Sequence, residues 1–237
     1  MRTLLLGAVL LLGCAATPTV PLPTARTRIY VGYAYGPGEA TPAFRYTRDS
    51  GRNGPTLRSV HRSHARDGTV VVEQAAIHDA QYQLRRAVEH HHERGVQAEI
   101  TVEPDGTLQF TRVRNGRVQR RRERASAPAV VGPTLFGFTA AHWDALASGT
   151  AVPLRFVVAE DRRSYAFTLR MTASDDDTTT IQMRADAWLV RRLVPPMTLT
   201  FDTRSRTIVR YEGRIPPRYQ GRPLDARVEY EHAAPYR

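Results

Sequence analysis

Residues 79–95 read DAQYQLRRAVEHHHERG, and the secondary structure given to them decides the fold. As a helix, the stretch puts Leu84 and Val88 on one face and stops at Gly95. As a strand running on through VQAEITV, it puts Tyr82, Leu84, Val88, Val96, Ala98, Ile100 and Val102 in one parity. Polar Arg86, His90, His92 and Arg94 interrupt that face. The strand reading accounts for more of the apolar positions, so we take it, as one long strand bent near Gly95. The protein then becomes mainly β rather than an alternation of helices and strands.

The neighbouring segments agree. RIYVGYAYG (28–36), TPAFRYTRD (41–49) and TVVVEQAAI (69–77) alternate β-formers with turn signals between them. EPDG (103–106) is a hairpin turn into TLQFTRVR, and Asn115-Gly116 is a second turn before RVQRRRER (117–124). After the connection ASAPAVVGP, LFGFTAAHWDALASG (135–149) is the clearest helix. Thr139 is its expected N-cap, Phe138 staples to Trp143, and Gly149 stops it. VPLRFVVA, SYAFTLRM and TTIQMRA then read as strands separated by EDRR and SDDD. DAWLVRRLVPP reads as a short helix capped by Asp186 and ended by Pro195-Pro196. MTLTFD, RTIVRYEG and ARVEYEH follow as edge-like antiparallel strands. No internal repeat or domain boundary is visible. The expected fold is mainly β (α+β): a large curved antiparallel sheet or half-barrel with a few short helices. We assign it to a single domain over residues 28–237.

The amino terminus addresses localisation. Arg2 precedes Leu4 to Leu12, an apolar block interrupted only by Gly7 and too short for a helix across a bilayer, which needs about 20 residues. The block suits a secretory signal core. Behind it stands Leu11-Leu12-Gly13-Cys14, which carries the only cysteine of the 237 residues. This resembles the lipobox of bacterial lipoproteins. The resemblance implies cleavage after Gly13, a diacylglyceryl thioether on Cys14 and acylation of the new amino terminus. Residues 1–13 are then a signal peptide, and 14–27 are the lipidated cysteine with an Ala/Thr/Pro-rich tether. Several acyl chains hold a soluble domain where one anchors only marginally. Ala15, rather than Asp, favours the outer membrane, with the domain facing the periplasm.

A second resemblance covers about residues 133–213. A Gly-Pro and phenylalanine segment leads to Trp143-Asp144-x-Leu146-x-x-Gly149. A strand pair, Trp188-Leu189…Leu193-Val194-x-Pro196 and Phe201-Asp202…Tyr211-x-Gly213 follow. This order is similar to that of uncharacterised periplasmic proteins and lipoproteins of bacteria. It implies a secreted sheet-rich domain akin to the half-barrels of the lipoprotein carrier system, and it carries no catalytic residue.

Chemistry is sparse. All 34 basic residues are arginine and the net charge is +11, spread along the chain as on a solvated surface. Only 117–124 is dense. Arg120, Arg121, Arg122 and Arg124 form either a solvated loop or a contact for an anionic envelope surface; no nucleic-acid module is present. His90, His91 and His92 cannot converge from one strand, and no metal or cofactor is expected. Asp175-Asp176-Asp177 suits an exposed turn. Phosphate loop, GxSxG and HExxH motifs are absent from the sequence. Trp143 and Trp188 either bury against the sheet or line an apolar cleft for a lipid-like ligand. Three activities stay open: a noncatalytic structural or assembly role with an envelope protein partner, binding or transport of a hydrophobic ligand, and an unrecognised periplasmic hydrolase. The first is the leading expectation.

Overall fold

The computed structural model describes residues 25–53 and 56–231. Cys14 and the expected leader and tether up to residue 24 lie outside these residues, while 25–27 of the expected tether belong to β1. The strands are β1 (Ala25–Tyr35), β2 (Phe44–Asn53), β3 (Thr56–His64), β4 (Val70–His78), β5 (Leu84–His91), β6 (Val96–Val102), β7 (Thr107–Arg114), β8 (Arg117–Arg124) and β9 (Ala129–Val130). Two helices follow, α1 (Gly132–Ala141) and α2 (Trp143–Ala147). Then come β10 (Val152–Val158), β11 (Arg163–Ser174), β12 (Thr178–Ala185), α3 (Trp188–Leu193), β13 (Met197–Asp202), β14 (Thr207–Tyr219) and β15 (Arg222–Glu231).

All fifteen strands belong to one sheet, in the order β8-β7-β6-β5-β4-β3-β2-β1-β15-β14-β13-β12-β11-β10-β9. Consecutive strands pair antiparallel as hairpins, apart from the two-residue β9, which lies parallel to β10. The pairing of β1 with β15 joins the two halves, so the last strands sit mid-sheet rather than at its edge. The two ends of the sheet, β8 and β9, are neighbours in sequence. The sheet curls until these ends approach one another. Leu108 and Phe110 of β7 pack with Val157 of β10 and with Ala159 just beyond it. Glu123 of β8 accepts from Arg155 Nη2 at 2.8 Å and from the Ser164 backbone N–H at 3.3 Å, and also pairs with the Ser164 hydroxyl. Burial works against the Glu123 carboxylate, but the Ser164 and Arg155 hydrogen bonds outweigh it and hold the group below its ordinary range. Side chains thus bridge a seam that backbone pairing leaves open.

Residues 79–95 form a strand and a turn, with a different parity from the one expected. Ile77 pairs with Arg86 but His78 pairs with Leu84, so a bulge at Arg85 resets the alternation. Ala87, Glu89 and His91 therefore face inward, while Val88 faces outward in a buried row with Val60 and Ala75. The chain does not bend through Gly95 as one strand. A 3-10 turn over His92–Arg94 reverses it, and Gly95 closes the turn at φ 56°, where a side chain is disfavoured. β3 and β8 are strands that the apolar pattern does not reveal. β1 also starts earlier than expected, because Ala25 and Arg26 pair with Arg52 and Gly51.

Helix α1 packs inside the curl. α1 begins at Gly132, before the expected Thr139 cap. Thr139 is instead buried inside the helix, its hydroxyl donating to the Leu135 carbonyl at 2.8 Å. Asp186 likewise does not cap α3 but accepts from the Thr168 hydroxyl at 2.7 Å. Phe136 is the centre of the packing. Its ring meets Tyr230 edge-on at 5.5 Å and is tilted against Tyr211 and His61, each at 6.2 Å. Gly137 lets α1 approach the loop before β5, since a Cβ there would lie 2.0 Å from the Tyr82 ring. Among the described residues no helix is long and apolar enough to cross a membrane.

Candidate ligand-binding cavity

Strand register places an uninterrupted polar row on the inner face. Arg48 pairs with His61, His61 with Gln74, and Gln74 with Glu89, across β2 to β5. Inner-face positions beside the row mix polar and apolar groups, Tyr46, Ser63, Val72 and His91 on one side and Ser59, Ala76 and Ala87 on the other, while Ala98 continues the row itself and Ile100 and Phe110 lie beyond. Four polar side chains in register on a mostly buried face are a costly arrangement unless each finds a partner.

Beside this row lies a cavity of about 490 Å³. Phe136, Phe156, Phe167, Val190 and Met197 form much of its apolar wall, and Tyr46, His61, Gln74, Glu89 and His91 supply its polar side. Phe136 also lines a separate cavity of about 360 Å³ that contains Arg48, His78 and Tyr82. The phenyl ring is therefore a partition between two spaces.

The polar groups divide into two sets. At one end, Arg94 binds Glu160 through both guanidinium nitrogens, one of them at 2.7 Å, and also reaches His91 Nδ1 at 2.6 Å. A guanidinium can only donate, so His91 Nδ1 accepts and its Nε2–H is left to donate to Glu89. Burial raises the Glu160 carboxyl, but Arg94 outweighs that effect and holds it below the ordinary range. This end of the site is internally paired. Arg112 adds a hydrogen bond to the Glu160 carbonyl at 2.9 Å and ties the cluster to the seam.

His61 is different. It is 8% exposed, and its Nε2 is buried without a hydrogen-bond partner on the cavity wall. Burial, reinforced by the nearby Arg48 charge, pushes its pKa well below the ordinary histidine value, so the ring is neutral. Tyr46 is buried beside it on β2, and burial pushes its hydroxyl well above the usual phenol range. Arg48 sits behind Phe136, its guanidinium 4.6 Å from the ring centre and donating to the Pro133 carbonyl at 2.6 Å.

The residues singled out from sequence are placed differently. Trp143 packs edge-on against Phe201 at 5.6 Å, under Arg206, and is buried as core. Trp188 is 66% exposed on α3. Neither lines the 490 Å³ cavity, although Val190 and Val194 beside Trp188 do. A six-residue helix cannot turn both Trp188 and Val190 to the same side, and the valine is the one facing in. The arginine run is an edge strand rather than a loop. Phe110 and Leu108, opposite Arg121 and Glu123, are inner-face residues, so Arg121 shares their side. Arg120, Arg122 and Arg124 are left together on the outer face. The histidine triplet is split likewise: His91 points in, while His90 and His92 stack at 6.0 Å. Among the described residues no three His, Cys, Asp or Glu side chains gather as ligands for one metal ion.

No family model and no curated protein matches the chain. Among solved structures it is similar to a crystal structure of a β-barrel-like protein of a domain of unknown function, DUF1849, from Brucella abortus. The two are 11% identical with a TM-score of 0.42, over 90% of this chain and 98% of that one.

One further pair has the form of a nucleophile and base. His78 Nδ1 bonds the Asp79 carbonyl at 2.9 Å and must donate there, so Nε2 accepts from the Ser59 hydroxyl at 3.0 Å. Ser59 is 0% exposed, however, and does not line either cavity. The pair satisfies two buried polar groups; His78 lies on the wall of the smaller cavity, but the Ser59 hydroxyl does not.

Proposed function

We propose that this chain is a lipid-anchored envelope protein, held through Cys14 at the outer membrane and facing the periplasm, whose curled sheet binds a lipid-like amphiphile without catalysing a reaction. The observation that carries the reading is the 490 Å³ cavity, apolar on one side and edged by a polar row on the other. Cavities of this size and character suit a small amphiphile. Trp188 and Leu189 support it further: they are 66% and 56% exposed on the helix whose Val190, with Val194 just beyond the helix end, lines the cavity, so they present apolar surface at its rim. The cavity is the reason we place the ligand-binding alternative ahead of the assembly role that leads from the sequence alone. The lipobox resemblance of Leu11-Leu12-Gly13-Cys14 supports the anchor.

Two measurements test the reading. Native mass spectrometry of the full chain carrying Cys14→Ser, purified from the periplasm, is expected to give an adduct of lipid mass that is lost on denaturation. A bare mass, together with no uptake of added amphiphile, refutes the binding role. Labelling with an alkynyl palmitate is expected to mark the wild-type chain and not Cys14→Ser, and equal labelling of both would refute the anchor.

A further inference from the structure

We propose that the amphiphile carries a carboxylate, a long-chain fatty acid being the simplest case, and that His61 is the residue that receives it. This rests on reading the cavity as a ligand site and adds the chemistry of the head group.

Among the described residues, His61 Nε2 and Tyr46 Oη are the cavity-wall atoms that are buried and left without a partner by the protein, and of the two groups His61 is the one beside a charge. A buried polar atom without a hydrogen bond is destabilising, and a ligand atom that pairs with it removes that cost. The row on which His61 stands decides which ligand atom is favoured. Arg48 is the directly opposed residue one strand away, whereas Glu89 is two strands away. With strands about 4.8 Å apart, the backbone position of Arg48 is nearer than that of Glu89 by about a factor of two, and Arg48 is the charge that acts on the His61 ring. Glu89 is moreover already engaged by His91, which Arg94 holds in orientation. The field at His61 therefore favours an anion. Arg48 exerts it from behind Phe136, as a neighbour through the ring rather than as a contact.

A carboxylate arriving at His61 accepts a hydrogen bond from Nε2–H. Its negative charge also favours the imidazolium, which reverses the disfavour that burial and Arg48 impose on the empty site. Tyr46, kept protonated by burial, is available as a donor on the same wall. The acyl tail then runs along Phe156, Phe167, Val190 and Met197. A hydroxyl head could pair with His61 but would gain nothing from the Arg48 field, so the comparison of acid with alcohol isolates the inference.

The test uses the full chain with Cys14→Ser, stripped of lipid, and the neutral fluorescent probe N-phenyl-1-naphthylamine, displaced by oleic acid or by oleyl alcohol. Wild type is expected to bind oleate about tenfold more tightly than the alcohol, and His61→Leu to reduce that ratio to below about threefold, each affinity being corrected for that variant's own probe affinity. Equal affinities for acid and alcohol in wild type, or a preference that survives in His61→Leu, overturn the carboxylate assignment and leave the cavity reading standing. A probe that does not bind overturns both. Should His61→Leu fail to fold by circular dichroism, His61→Gln replaces it, and the wild-type ratio alone still refutes the inference if it is near one.

Discussion

Phe136 offers the sharpest test of how the interior is built. Its ring is 7% exposed, lies on the cavity side of Arg48, touches Tyr211, Tyr230 and His61, and separates spaces of about 490 and 360 Å³. Phe136→Ala removes a buried phenyl, a change that costs about 3–5 kcal/mol. Two local effects pull in opposite directions. The edge-on contact with Tyr230 and the stacked Arg48 guanidinium add to the loss, each by about 0.5–1.5 kcal/mol. The pre-existing space on both sides lowers the new cavity term, because some dispersion contacts are already missing there. The expected destabilisation is therefore about 4 kcal/mol. With a urea slope of about 2–3 kcal/mol per molar, the midpoint should fall by about 1.3–2 M. The same variant joins the two cavities, so it should take up a bulkier neutral probe than wild type does. A midpoint shift below about 0.5 M, or unchanged probe size selectivity, would mean that Phe136 is not the partition.

Three other outcomes follow from named contacts. Glu123→Gln should weaken the seam by about 2 kcal/mol at neutral pH, since a charged hydrogen-bonded pair is lost on a mostly buried side chain. The Glu123 pKa is depressed in the fold, so its contribution is complete above the ordinary carboxylate range and disappears as pH falls through the folded value; wild-type and variant urea midpoints should converge in acid, and a constant gap would sink the assignment. Gly137→Ala should destabilise by at least about 2 kcal/mol through collision with Tyr82, and rescue by Tyr82→Ala in a double-mutant cycle would localise the clash. Charge reversal of Arg120, Arg122 and Arg124 should lower binding to anionic vesicles in the unlipidated chain, whereas Arg121→Glu, on the inner side, should change it far less; equal effects would refute the split of the run into two faces.

What was legible in the sequence, and what was not, has a consistent physical basis. Segments with alternating apolar residues, such as VPLRFVVA and MTLTFD, read as strands because each buries one face against a uniform core. β3, LRSVHRSH from Leu57, escaped that reading because its inner face carries Ser59, His61 and Ser63. The strand hardest to read is thus the one that supplies the central residue of the site. In β5 the bulge at Arg85 moved Glu89 and His91 to the interior, and no periodicity of two can anticipate an inserted residue. A signal was nonetheless available: polar residues alternating in register across adjacent strands, RSVHRSH beside VEQAAIH, mark a polar stripe on an inner face.

The chain by itself determined a predominantly β architecture, the turns at Asp105-Gly106 and Asn115-Gly116, and the halt of the helix at Gly149, since these depend on local backbone preference and alternation. Tertiary structure alone decided that β1 and β15 join the halves, that the sheet curls until Glu123 meets Arg155, and that Arg48, His61, Gln74 and Glu89 stand in one row. Those features depend on register between strands, and register is set by the summed burial of many side chains rather than by any residue's neighbours in sequence.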